Sequence, residues 1–193
     1  IHMAVEDLFS ATNFILDNAE QFGVNPSNIV ISGSSAGAIS VMQAEYEIAN
    51  ATQWASVLPA GFNYAGVMSF SGAILSREGK VDFKKSPCPT LMLHGTSDEL
   101  VPYDQIKVFN LGFFGGGKLV ERFKKYGLNY NMYHFTDYGH EIAGSMDTTL
   151  DLQLKFLETN VMQKKMRIVE AWISDPDVFK GSGPQSRKEL YGN

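Results

Sequence analysis

A short β-branched run, Ile29-Val30-Ile31, passes through Ser32 straight into Gly33-Ser34-Ser35-Ala36-Gly37, and a helical apolar pattern begins at once over 36–49. No other stretch constrains the fold as tightly. A run of that kind reads as a strand buried on both faces, which belongs in a parallel sheet covered by helices. A strand that turns directly into a helix must reverse within a few residues. Glycines at 33 and 37 leave room for that turn and for close helix–strand packing. The residue at the apex, Ser35, then stands at a helix N-terminus, where amides and the dipole favour negative charge.

The rest of the chain repeats the alternation. Val5, Leu8, Phe9, Ala11, Ile15, Leu16, Ala19 and Phe22 predict one amphipathic helix over 4–22, stopped by Gly23 and the turn cluster Asn25-Pro26-Ser27-Asn28. Residues 50–65 read as a loop exposing Trp54, Phe62 and Tyr64, and strands are expected at 67–70, 90–93 and 131–135. The connection 73–89 reads as polar, and 103–126 as helical with an interruption near the glycines 115–117. A further helix starts near Asp147, with Leu150, Leu154, Leu157 and Val161 on one face. This pattern predicts an α/β fold, a mostly parallel sheet of about four strands flanked by helices. The expected organisation is one domain over 1–163, then a helical extension and polar tail over 164–193, the tail beginning near Ser174.

A chain of 193 residues suits a single core, and 44% hydrophobic with 19% charged residues describes a globular protein. Net charge is −5 without a basic block, which argues against nucleic acid or an anionic membrane as partner. Lys164, Lys165 and Arg167 read as the solvated face of a helix. The single cysteine, Cys88, excludes an intrachain disulfide and a multi-cysteine metal site, and reads as a buried packing residue. No apolar run is long enough to span a bilayer. Ile1 and His2 read as a remnant ahead of a start at Met3. The compartment stays open, with a secreted or periplasmic protein of bacterial type as the working expectation.

Two further segments carry chemistry. His94-Gly95-Thr96-Ser97-Asp98 follows the third expected strand, which puts Asp98 in a loop at a strand's carboxyl end, where ligands gather in parallel sheets. Tyr138-Gly139-His140-Glu141 follows the fourth, giving His140 a loop from which to reach over the sheet. A serine, a histidine that takes its proton and a carboxylate that fixes the histidine's tautomer make a nucleophile. Glu99 and Asp104 are lower-ranked alternatives for the acid. His94 reads as a buried structural histidine bonded nearby, and His134 as a packed or surface residue. The bland alternative for 33–37 is a Gly/Ser-rich turn between strand and helix, a phosphate-binding one included, but no Walker lysine follows and the spacing is not that of a dinucleotide fingerprint.

The order Ser35, Asp98, His140, each after a different strand, is the chain order of α/β-hydrolases. Residues 24–37 resemble the nucleophile-elbow region of bacterial carboxylesterases, including carbohydrate-associated esterases, and the segments around Asp98 and His140 resemble the same family. The resemblance runs over about 4–161. It implies Ser35, Asp98 and His140 as catalytic residues, the Ala36 amide as an oxyanion donor, and Gly33, Ser34 and Gly37 as the elbow. It implies no metal or organic cofactor, and a small-molecule or carbohydrate-linked acyl ester as substrate. Rival readings are a serine peptidase of the prolyl-oligopeptidase type and a non-catalytic oligomerising fragment.

The chain departs from that family at its start. The family has strands ahead of the first helix, one of which carries an oxyanion loop of the His-Gly-Gly kind, and residues 1–34 contain no counterpart. The expectation is a C-terminal portion of the hydrolase fold with its nucleophile strand at an open edge. Such an edge is an association hazard. A homo-oligomer, either a dimer or an element swap, is therefore expected over truncation alone or a separate complementing chain. Weak activity is expected if no partner supplies the second oxyanion donor.

Overall fold

The computed structural model describes residues 1–175 together with Lys188. Helix α1 (His2–Asp17) and the single turn α2 (Ala19–Phe22) lead to β1 (Val30–Ser34), α3 (Ala36–Ala49), β2 (Gly66–Phe70) and β3 (Ala73–Ser76). They are followed by β4 (Thr90–Gly95), β5 (Gln105–Val108), β6 (Leu111–Gly115), α4 (Gly116–Tyr126), β7 (Tyr130–Phe135), α5 (Leu150–Phe156) and β8 (Val169–Ile173). Strands β1, β2, β4, β7 and β8 form one sheet in that order, and every neighbouring pair is parallel. Their carboxyl ends therefore share one rim, and among the described residues β1 is an edge. This is a mostly parallel sheet with flanking helices, the α/β-hydrolase architecture.

Side-chain alternation along the strands divides the core between the two faces of the sheet. On β4, Met92 packs into a cluster with Val5, Phe9, Val41, Leu119 and Phe123 from α1, α3 and α4. Its neighbours Leu91 and Leu93 point the other way, to Ile142, Phe156 and Val161. Phe9 and Phe156 are fully buried, and each such side chain contributes about 2–3 kcal/mol of transfer free energy.

The structure corrects the sequence reading in several places. The region 103–126 is helical only from Gly116 on. Before it, β5 and β6 form an antiparallel hairpin whose second strand pairs with β3 in a separate three-stranded sheet. Ile106 and Val108 alternate as strand residues do, and β3 occupies the start of the connection read as plain polar chain. The extension after 163 is a strand rather than a helix: β8 pairs with β7 from Asn131↔Val169 to Phe135↔Ile173, making five strands in the main sheet among the described residues instead of four. The segment of Lys164, Lys165 and Arg167 is irregular, with Lys164 at φ +50°. The first helix breaks at Asn18, whose backbone and side-chain amides both bond the Phe14 carbonyl. Phe22, expected inside, is exposed beside Phe14 with ring centroids 5.9 Å apart. Tyr64, expected outside, is buried because its hydroxyl meets that of Thr12 at 2.7 Å. The tail expected from Ser174 lies outside the described residues from 176 on, Lys188 apart. Among the described residues no helix is long and apolar enough to cross a membrane.

Candidate active site

Ser35 is the N-cap of α3, and its backbone sits at φ 52°, ψ −119°. A non-glycine residue held at positive φ costs of order 1–3 kcal/mol and persists only where its surroundings impose it. Two features impose it here. The Ser35 amide donates to the Phe70 carbonyl of β2 at 2.9 Å. Gly33 lets α3 cross close to β1, since a Cβ there would lie 2.3 Å from the carbonyl carbon and oxygen of Gly37. Gly37 is different: nothing lies within 4 Å of its Cβ position. Of the two glycines in the motif, packing requires the first.

The turn is also tied across the site. The Ser34 hydroxyl donates to the Ala143 carbonyl at 2.5 Å, joining β1 to the 3-10 turn His140–Gly144 that carries the histidine. The loops after β4 and β7 are joined in the same way. Thr96 and Ser97 amides donate to the Phe135 and Tyr138 carbonyls, both at 2.9 Å. Gly95 allows this approach, because a Cβ on it would stand 2.3 Å from the carbonyl oxygens of both Tyr138 and Gly139. The sequence reading did not single out Gly95. A glycine that ends a buried strand three residues before an acidic loop residue was the available signal.

The three residues picked from sequence meet on this rim. His140 Nε2 lies 2.8 Å from Ser35 Oγ, and its Nδ1 lies 2.9 and 3.1 Å from the two carboxylate oxygens of Asp98. A buried carboxylate accepts, so Nδ1 carries the proton and Nε2 is left to accept from the serine hydroxyl. Asp98 Oδ1 also accepts from the amides of Leu100 and Val101, each at 2.9 Å. Burial alone would raise the Asp98 carboxyl. The bonds from His140, His94 and the Val101 amide outweigh it and hold the group well below the usual carboxylate range. Glu99 and Asp104 are exposed on the same loop, and Asp98 is the carboxylate that meets His140. His134 is buried away from Ser35, with Nδ1 2.6 Å from the Tyr103 hydroxyl and its ring stacked on Trp172 at 4.1 Å. His94 lies behind Asp98, its Nε2 3.4 Å from Oδ2.

The first residue of a helix has no intrahelical acceptor for its amide, so Ala36 N–H is a donor placed beside Ser35. Among the described residues no group of three or more His, Cys, Asp or Glu side chains could hold a metal ion. The arrangement can deprotonate a serine hydroxyl, stabilise the imidazolium that results and offer one amide to a developing oxyanion.

Solved structures share this fold. Esterase PE8 superimposes with a TM-score of 0.51 at 21% identity, over 78% of this chain and 61% of that one. A truncated form of a carbohydrate esterase from gut microbiota gives 0.53 at 16%, over 80% of this chain and 67% of that one. A puromycin-hydrolyzing peptidase of Mycobacterium tuberculosis gives 0.52 at 19%, over 87% of this chain and 27% of that one. The chain thus spans about three fifths of the length of esterase PE8. No curated protein matches it. The family model for phospholipases and carboxylesterases matches residues 3–161. With that match over most of its length, the chain belongs to the phospholipase/carboxylesterase family of α/β-hydrolases.

Proposed function

We propose that the chain is a serine esterase that cleaves carboxylic esters through an acyl-enzyme. The observation that carries this is the relay itself: imidazole nitrogens at 2.8 Å from the Ser35 hydroxyl and 2.9 Å from the Asp98 carboxylate, on a serine held at positive φ. In the reaction, His140 Nε2 takes the hydroxyl proton as Ser35 Oγ attacks the ester carbonyl. The Ala36 amide bonds the oxyanion of the tetrahedral intermediate. His140 returns the proton to the departing alcohol, and water, deprotonated in turn by His140, releases the acid and restores the serine. Asp98 stays ionised throughout, which its bonded surroundings favour.

Short-chain or carbohydrate-linked acyl esters are the proposed substrates. The likeness to a carbohydrate esterase and to an esterase supports this class. Residues 1–34 offer no His-Gly-Gly loop, and loss of one oxyanion donor slows other serine hydrolases about 100- to 1000-fold. Turnover by the chain alone is therefore expected to be weak and clearest on activated esters. The test is a panel of p-nitrophenyl acetate, longer p-nitrophenyl esters, acetylated xylo-oligosaccharide and a peptide anilide, run beside Ser35→Ala. Hydrolysis of the short esters that disappears in the variant is expected. Cleavage of the anilide alone would shift the reading to a peptidase, and no Ser35-dependent turnover on any substrate would reject the enzyme reading.

A further inference from the structure

We infer that His94 is a positioning residue for the Ser35–His140–Asp98 relay, its Nε2–H restraining the Asp98 oxygen that faces His140. The inference rests on the esterase reading above and gives that site a fourth member.

His94 is 1% exposed near the end of β4, and the Asp98 side chain four residues on is fully buried against it. The Gly116 amide approaches His94 Nδ1 at 3.3 Å. An amide can only donate, so Nδ1 accepts and the ring proton sits on Nε2. That Nε2–H bonds the Val101 carbonyl at 3.2 Å, and Asp98 Oδ2 lies 3.4 Å from the same nitrogen. One ring therefore holds both ends of the 98–101 turn. Oδ2 is also the oxygen nearer to His140 Nδ1, at 2.9 Å against 3.1 Å for Oδ1. With the Leu100 and Val101 amides bonded to Oδ1 and His94 Nε2 3.4 Å from Oδ2, the carboxylate cannot rotate without giving up one of these contacts.

The ring is itself confined. A Cβ on Gly116 would stand 3.1 Å from His94 Nδ1 and 2.9 Å from Met132 Cε, so this glycine keeps the amide within reach. Tyr103 meets the ring edge-on at 5.6 Å, with Asp104 acting on that phenol. Behind Tyr103 lie His134, then Glu170 and the Lys124 ammonium bonded to it. Of these groups Asp98 is the one that Nε2 touches. A histidine bonded to the Val101 carbonyl alone would serve folding only. Contact with the oxygen that also holds His140 makes the charge on Asp98 depend on His94. Removing the donor frees the carboxylate to rotate, which slows the reaction. It also leaves more negative charge facing His140, which moves the acidic limb of kcat/KM to higher pH.

The test compares His94→Leu, which has no donor, with His94→Gln, whose amide nitrogen falls near the position of Nε2. The leucine variant is expected to lower kcat about 10- to 100-fold, less than loss of the acid itself, with KM changed by less than about twofold. Its acidic limb should rise by about half a pH unit, and the glutamine variant should recover most of both changes. Equal losses in the two variants that track the folded fraction in a thermal melt, with an unmoved pH profile, would overturn the proposal. If the leucine variant does not fold, ring 15N spectra of the wild-type protein decide, with the His94 resonances assigned by their loss in His94→Gln. An Nε2–H tautomer is expected, and an Nδ1–H tautomer would overturn the assignment. Turnover that survives in Ser35→Ala would sink the esterase reading instead, while leaving the tautomer result to stand or fall alone.

Discussion

Replacing Gly95 with alanine puts a single methyl group between the two loops that bring Asp98 and His140 together. The new Cβ would start 2.3 Å from the carbonyl oxygens of Tyr138 and Gly139. A carbon settles against a carbonyl oxygen at about 3.3 Å or more, so the loops must part by about 1 Å. His140 follows Gly139 directly and has no slack to absorb this. Its Nε2 would move from 2.8 Å to beyond hydrogen-bonding distance of Ser35 Oγ. A misplacement of that size costs about 100-fold in rate, and the overpacking itself about 1–3 kcal/mol of stability. Initial rates on p-nitrophenyl acetate, with a thermal melt on the same sample, measure both. A folded Gly95→Ala protein with kcat/KM down about 100-fold is expected. Wild-type turnover with a wild-type melt would refute the claim that contact between these loops sets the geometry of the site.

Gly33→Ala should abolish activity or folding, whereas Gly37→Ala should keep activity and fold at least as well, because only the first position is occupied by neighbouring backbone. The same ester assay and melts measure this pair. Burial pushes the Glu45 carboxyl up to about 7 despite its bond from the Cys88 amide. Its folded value lies above its unfolded one, so the contribution is intact below about pH 4.5 and is lost as pH rises to about 7, by about 3 kcal/mol. Urea midpoints should show this decline in wild type and a flatter profile in Glu45→Gln. Finally, β1 is a sheet edge, and we propose that a second copy pairs or exchanges an element there. Light scattering after size exclusion should give a dimer, and a dilute monomer would discard the idea.

The parts of this fold legible in the sequence were those encoded within a few residues. Ile29-Val30-Ile31 followed by Gly33 and Ser35 specifies β1, its turn and the start of α3 locally. Strands β2, β4 and β7 are short apolar runs bounded by turn residues. Asp98 and His140 could be chosen because each follows such a run. What escaped depends on distant partners. The β5–β6 hairpin exists because β6 finds β3 about forty residues earlier, and its glycines looked like breaks in a helix. Strand β8 follows a basic stretch that resembles a solvated helical face, and β7 recruits it to the sheet. His94 was legible as buried and bonded, but its contact with Asp98 depends on the shape of the turn between them. Cys88 reads as buried and is half-buried at the surface of the core.

The most direct test of the relay is labelling with a fluorophosphonate, followed by peptide mapping and mass measurement of the adduct. One adduct on Ser35 is expected, absent from Ser35→Ala and formed far more slowly in His140→Ala and Asp98→Asn. An adduct on another residue, or labelling indifferent to His140, would contradict the account.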